Sequence, residues 1–454
     1  MSRFGRVLLV IVAVGFGIRV AYVVGAKAGP CVIETPSGET IRVPSECAVG
    51  DQLFYNAEAD LVARGGGFNE PFADRGPGSP PAGPAADHPP LTVVVLAPVS
   101  WLSERPPLAW FTEDPVAHLR EHRFAMVILG TLNVALVGLL GRRVGRRRAD
   151  PGDAVGLVAA ALVAVAPFVW VNDGLIMSET VSILTVLIAL RLAFAAHDRR
   201  SPLRLAALGA ACGLAALARA ELVLLAPLLI GAVVWSAPDL RRRATAVAVA
   251  GAATMVVLAP WVGFNLARFD ERIFVSTNDG IALLGSNCDG VYRGGGIGLT
   301  NLQRCLPERF PPGDQSVVAA EFRRRALDYM GDNPGRLPAV VAARVGRTWG
   351  LFRPADMVSY NVHEGREEWV TRLGYVVYFP TLVAAVAGIV LLVRRRRRFA
   401  LTVLLAPVVA ATVGAAVTYG QTRFRAPAEP ALAILAAVAI VALTRRVRLR
   451  RRAQ

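Results

Sequence analysis

Eight predominantly apolar stretches punctuate the chain, at roughly 7–26, 123–141, 154–171, 179–196, 244–265, 371–393, 399–419 and 427–444. A helix needs about 20 such residues to cross the hydrocarbon core of a bilayer. A ninth stretch, 203–237, is too long for one crossing and carries basic runs at both ends. Arginine and lysine collect on the cytoplasmic side of membrane proteins. Both ends of that stretch therefore belong on one side, and it must fold back near Arg219 and Glu221 as a hairpin of two short helices. The expectation is an all-α polytopic membrane protein of about ten transmembrane helices, with both termini cytoplasmic. The N-terminal run from Val7 to Gly25 exceeds the core of a cleavable signal and reads as the first span.

Composition agrees, with 54% of the 454 residues hydrophobic. The formal charge of +16 raises nucleic-acid binding, but the arginines fall in short runs between apolar stretches, at 142–148, 199–204, 241–243, 394–398 and 445–452. That is membrane topology rather than a nucleic-acid footprint. "HPPLTVVVLAPVSWL", residues 88–102, has an apolar part of only about 12 residues, too short for a span. Counting it as one would export every later arginine run, so it reads as re-entrant or interfacial. The resulting divisions are a first transmembrane helix at 1–26, a first extracytoplasmic loop at 27–122, a transmembrane bundle at 123–265, a large extracytoplasmic loop at 266–370, C-terminal transmembrane helices at 371–444 and a basic cytoplasmic tail at 445–454.

In the first loop, "CVIETPSGETIRVPSEC" alternates about a Pro-Ser-Gly turn like a small β-hairpin. Cys31 with Cys47 and Cys288 with Cys305 are candidate disulfide pairs if both loops face an oxidising exterior, whereas Cys212 reads as a packed thiol. Residues 64–87 read as irregular loop, and 294–296 as turn. Residues 314–330 and 335–350 show helical spacing, with apolar stripes suited to lying on the membrane surface.

The unusual charges fall on the exterior side. Asp51 follows Gly50 and precedes an amphipathic helix whose Leu53, Phe54, Ala57 and Leu61 share one face; it occupies the N-cap position, a role that competes with chemistry. Asp173 and Glu179 flank the junction of the third and fourth spans, where capping competes with facing a cavity. Arg219 and Glu221 sit at the hairpin tip. Tyr419, Arg423 and Arg425 lie at the outer end of the last hairpin, where arginine is out of place unless it meets an anionic ligand or a lipid headgroup. His88 stands alone in a Pro-rich turn, without a second His at metal-ligand spacing.

Together, Gly50-Asp51 with Tyr55, His88-Pro89-Pro90-Leu91, Ser178-Glu179, Leu217-Ala218-Arg219, "PWVGFN" at 260–265, "STNDGIALLGSN" at 276–287 and Arg423-Phe424-Arg425-Ala426-Pro427 run in order over nearly the whole chain. This ordered set resembles the GT-C fold glycosyltransferases that use lipid-linked sugars, in the branch of protein O-mannosyltransferases and lipid A aminoarabinose transferases. The resemblance implies that Asp51 is the catalytic base, that a second acid near Glu179 helps hold acceptor or donor, and that outer arginines meet the lipid phosphate. It leaves Tyr55, His88, Asp173, Arg219, Tyr419, Arg423 and Arg425 as substrate-binding candidates. Many relatives carry Asp-Glu where this chain has Asp51-Gln52, so the second carboxylate comes from elsewhere: Glu179, Asp173 or Glu58.

The chemistry is consistent with that resemblance. Outside the cytoplasm nucleotide sugars are scarce, so a donor must carry its phosphate leaving group on a membrane lipid. Attack by an acceptor hydroxyl needs a base, and the departing phosphate needs cations. The expected partners are a polyprenyl-phosphate-linked sugar, mannose or another envelope sugar; an extracytoplasmic acceptor that is a glycan, lipid or protein; and membrane lipids, but no nucleic acid. No metal ligand set is evident, and a divalent cation remains open. The Arg, Ala and Val bias suggests a high-GC, actinobacterial source with a plasma-membrane, multi-pass location. A transporter or flippase, or a non-catalytic binder of lipid-linked envelope precursors, is the competing expectation.

Overall fold

The computed structural model describes residues 2–34, 40–46, 48–73, 82–105, 118–147, 150–235 and 239–453. The chain begins with α1 (Arg3–Tyr22), prolonged to Lys27 by a π-turn, and an antiparallel hairpin of β1 (Pro30–Glu34) and β2 (Thr40–Glu46) in which Val32 pairs with Arg42. Cys47, and with it the expected Cys31–Cys47 bridge, lies outside the described residues. Next come α2 (Asp51–Ala63), α3 (Leu91–Ser103), α4 (Leu119–Gly145), α5 (Asp153–Val165), α6 (Pro167–Trp170), α7 (Ser178–Asp198), α8 (Pro202–Ala218), α9 (Leu225–Trp235) and α10 (Leu240–Arg268). A cap follows, of α11 (Asn278–Gly285), α12 (Asp289–Tyr292), α13 (Leu302–Cys305), α14 (Gln315–Asp332), α15 (Leu337–Thr348) and α16 (Pro354–His363). The chain closes with α17 (Glu368–Arg394), α18 (Arg398–Val417) and α19 (Glu429–Ala453).

Among the described residues seven helices are long and apolar enough to cross a membrane, or eight if the bent pair of α5 and α6 is one span. The bend, 64°, falls at Ala166-Pro167. Proline disfavours the helical region for the residue before it, and Ala166 is extended (φ −70°, ψ 114°). Residues 203–237 divide into the two short helices α8 and α9, with Arg219 extended between them (φ −151°, ψ 127°). "ALARAEL" is made of good helix formers, so local propensity does not cause this break; the ion pairs of Arg219 hold it. The helix α3 has 13 residues, about 20 Å at 1.5 Å per residue. It packs Val93 and Leu96 against Tyr55, Ala59 and Met126 rather than crossing.

The span ending in α19 is the centre of the bundle, 78% buried within the protein, whereas α10 and α17 are 22% buried. Valines, Met255 and Phe264 on those outer helices face outward, as lipid contact requires. The helices alternate in direction, and their charged ends segregate. At one end Arg142 pairs with Asp153 at 2.6 Å, Arg143 with Asp198 at 2.5 Å and Arg445 with Asp150 at 2.5 Å, which brings the basic runs together. At the other end lie the start of α2, the Arg219 break and the cap. Cys288 and Cys305 are joined within that cap.

The apolar stripe expected to lay residues 335–350 on the membrane instead faces protein. Along α15, Val340, Ala343, Arg344 and Arg347 are buried, and Arg344 donates to the carbonyls of Ser286 (2.6 Å) and Ala416 (3.2 Å). Arginine is suited to this because its planar fork satisfies several carbonyls at once. The contacts fasten the cap to the end of α18 and so fix the start of the loop that leads to Arg423.

Candidate active site

Asp51 does not cap its helix. Gly50 takes that position with φ +55° and ψ −128°, a conformation open to glycine and costly for other residues. The turn makes Asp51 the first helical residue and frees its side chain. Arg423 Nη2 donates to Asp51 Oδ2 at 2.7 Å, and His88 Nε2 stands 3.5 Å from the same oxygen. Burial disfavours the charged carboxylate, yet Arg423 and His88 hold Asp51 well below the usual carboxylate range. The helix is not seated on one apolar face: Phe54, Tyr55, Glu58 and Ala59 are buried, Ala57 and Leu61 half-buried, and Leu53 exposed. Phe54 and Tyr55 flank the His88 ring at 5.1 and 4.7 Å between centroids.

Arg423 is the hub of the site. Besides Asp51 it meets Glu364 at 3.2 Å and Glu179 at 3.5 Å. Glu179 also meets Arg219 at 3.0 Å, and Arg219 meets Glu221 at 2.6 Å and donates to Ser178 Oγ at 3.3 Å. The result is an alternating chain, Asp51, Arg423, Glu179, Arg219, Glu221, drawn from four separate parts of the sequence. Charges this far from water persist only when paired. The second carboxylate beside Asp51 thus comes from Glu179, and a third from Glu364, whose backbone carbonyl accepts from Gln52 at 3.2 Å. Hydrogen bonding is nonetheless incomplete. Glu179 Oε2, Arg423 Nε and both ring nitrogens of His88 are buried without a hydrogen-bond partner, and such groups call for an explanation such as a ligand.

Beside this chain is a cavity of about 410 Å³, lined by Tyr55, His88, Ser178, Arg219, Tyr419 and Arg423 among others. Asp51 and Glu179 stand just behind it, through Arg423 and His88. Burial pushes the Tyr419 phenol up to about 12. The sequence does not single out Asp87, Arg272 and Arg323 on the same wall, and it offers Asp279 only as part of the 276–287 stretch. Asp87 immediately precedes His88 in "DHPPL" and could have been taken with it; Glu364, in "HEGREE", was signalled only by a cluster of charges just before a span. Burial raises Asp87, and Glu58 still further, to about 9, with Asp87 adding to it. Glu58 is not part of the Arg423 chain.

Two candidates have other partners. Asp173 is 1% exposed, paired with Arg19 of the first helix at 2.6 Å, and accepts from Thr180 Oγ1 at 2.7 Å. The contact is tight: a Cβ at Gly130 would fall 2.1 Å from its carboxyl group. Arg425 turns inward, paired with Glu429 at 2.6 Å, donating to the Thr348 carbonyl at 3.0 Å and lying 3.6 Å over the Tyr378 ring. Among the described residues no group of three His, Cys, Asp or Glu side chains converges in a way that could hold a metal ion.

Of the four arginines that line the cavity, Arg219 and Arg423 stand side by side with an ionised carboxylate behind Arg423, the arrangement that would bind a phosphate and accept a proton beside it. The fold carrying them is the GT-C fold of membrane glycosyltransferases. Over 99% of its length the chain superposes on the oligosaccharyltransferase AglB of Archaeoglobus fulgidus, solved with an inhibitory peptide and a dolichol-phosphate, at TM-score 0.56 and 16% identity. A second structure of the Archaeoglobus fulgidus oligosaccharyltransferase, tethered to an acceptor peptide containing an NVT sequon, gives TM-score 0.58, again at 16% identity over 99% of the chain. The chain spans about half the length of these structures, 52% and 51%. Residues 105–264 match the family described as dolichyl-phosphate-mannose-protein mannosyltransferase. No curated protein matches the sequence.

Proposed function

We propose that the protein is an inverting glycosyltransferase that moves a sugar, mannose or another envelope sugar, from a polyprenyl-phosphate donor to an acceptor hydroxyl at the extracytoplasmic face of the plasma membrane. The observation that carries this reading is the position of Arg423, which binds Asp51 on one side and fronts the cavity beside Arg219 on the other. The mannosyltransferase match over 105–264 supports mannose, and the dolichol-phosphate bound by the archaeal protein supports a lipid-phosphate leaving group. The gathering of basic runs at the end remote from the site supports the orientation.

In this scheme the donor phosphate settles against Arg219 and Arg423. It competes with Asp51 for Arg423 and thereby loosens the ion pair that keeps Asp51 a weak base. The acceptor oxygen bonds to the anomeric carbon as the bond from that carbon to the phosphate oxygen breaks. The acceptor proton passes to Asp51, and the lipid phosphate leaves with its charge held by the arginines. Displacement from the opposite face inverts the centre. A phosphate needs no proton to leave, so no general acid is required, unlike in glycosidases.

The test uses inside-out and right-side-out membrane vesicles carrying the full chain, supplied with radiolabelled polyprenyl-phosphate mannose. Asp51→Asn is expected to abolish labelled product while donor retention and fold persist. Undiminished transfer by Asp51→Asn rejects the base assignment. Label crossing the bilayer on intact donor, with no product from either protein, would favour the flippase reading instead.

A further inference from the structure

The arginine runs at the end opposite the site are more than a topological signal. Between α4, α5, α17 and α19 lies a second cavity, of about 190 Å³, into which Arg147, Arg395, Arg397, Arg445 and Arg446 converge. Among the described residues one carboxylate lines it, Asp150, and Asp150 pairs with Arg445 at 2.5 Å. Arg397 is turned to protein, donating to the carbonyls of Val144 and Arg146 at the end of α4. Five cations against one anion leave a strong positive potential in one interhelical recess. Burial, and then the neighbouring Arg147, Arg446, Arg445 and Arg397, lower the pKa of Arg395. A merely solvated basic face would splay its side chains into water; these are gathered instead around a concavity.

The rest of the lining is apolar: Val155, Leu392, Val438, Val441 and Leu449 share the recess with the guanidinium groups. The helix leading to Arg395 also exposes a row of valines, Val383, Val386, Val390 and Val393, which ends two residues short of it. A ligand that fits both must be anionic at one end and apolar at the other. We propose that this recess is a binding site for an anionic phospholipid with two headgroup phosphates, held by Arg395, Arg445 and Arg446 with its acyl chains along α17. Basic pockets between transmembrane helices near the cytoplasmic surface recognise such headgroups. The site lies at the far end of the bundle from Arg423 and is independent of the glycosyl-transfer reading.

Retention of cardiolipin by the full-length protein in detergent, measured by native mass spectrometry against phosphatidylcholine, tests the proposal. Melting shifts with cardiolipin and with inorganic pyrophosphate separate a lipid from a soluble phosphate. Wild-type protein should retain cardiolipin selectively and melt higher with it. Arg395→Gln/Arg446→Gln removes two guanidinium groups that make no hydrogen bond among the described residues, and should weaken retention about thirtyfold. Arg241→Gln/Arg242→Gln, at the same end but outside the recess, should leave retention unchanged. Equal loss in both double variants would overturn the proposal in favour of diffuse surface charge. Stabilisation by pyrophosphate equal to that by cardiolipin would overturn the lipid assignment. Should the first variant not fold, Val441→Trp, which fills the recess without altering charge, must still reduce retention; unchanged retention then rejects the site.

Discussion

Arg423 and Asp51, 372 residues apart in the chain, are joined by a 2.7 Å charged hydrogen bond, and Arg423 is 11% exposed against 28% for Asp51. Removing either charge leaves the other in place, with different consequences. Arg423→Ala strips Asp51 of its arginine, while Glu179 keeps Arg219 and Glu364 keeps Arg366, and should cost about 3–5 kcal/mol, the usual penalty for breaking a buried pair from one side. The double variant with Asp51→Asn should recover part of that loss, giving a coupling of about 1–3 kcal/mol in a double-mutant cycle read by denaturation in detergent. Additive effects would mean that the pair contributes nothing.

The same contact sets a pH dependence. Asp51 is held below its ordinary value of about 3.9. Its ion pair therefore adds stability above that value, and loses it only as the pH falls through the lower folded pKa. Between about pH 5 and 8 the free enzyme should keep Asp51 ionised, and kcat/KM should show no acid limb from it. An acid limb centred near pH 6 that disappears in Asp51→Asn would contradict this.

Asp173 and Arg425 should behave as structural charges. Asp173→Asn and Arg425→Gln each break a buried pair and are expected to lower the melting temperature, at about 3–5 kcal/mol apiece. In the fraction that remains folded, KM for the donor should equal that of the wild type. A raised KM with unaltered melting would return either residue to the binding site.

The Cys288–Cys305 bond closes a short loop with a sequence separation of 17. A loop of that size constrains the unfolded chain by about 3 kcal/mol. Maleimide should label these cysteines only after reduction. Reduction should also destabilise the cap, seen as faster proteolysis within 288–305 while the bundle helices stay protected.

Gly50 is a further constraint on the site. Gly50→Ala places a Cβ in a backbone conformation that strains it, at about 1–3 kcal/mol. Because that turn sets where Asp51 points, kcat should fall more than donor KM rises. Wild-type kcat in this variant would show that the turn does not position Asp51.

Much of this architecture was legible in the sequence because bilayer thickness and charge asymmetry act on sequence directly. Apolar length located the spans, and the arginine runs forced the turn at Arg219 against a local sequence that favours continuous helix. Asp51, His88, Glu179, Arg219 and Arg423 all stand out in the sequence as charges or rings out of place on the exterior side. What sequence could not decide was direction. Arg423 and Arg425 stand two residues apart in one 3-10 turn (Thr422–Ala428), where about three residues make a turn and neighbours at that spacing point different ways. Only the packing of that turn sends Arg423 to Asp51 and Arg425 to Glu429. The capture of Asp173 by Arg19, and the arrival of Glu364 and Asp87 at the site, likewise depend on contacts between segments remote in the chain, which no local pattern encodes.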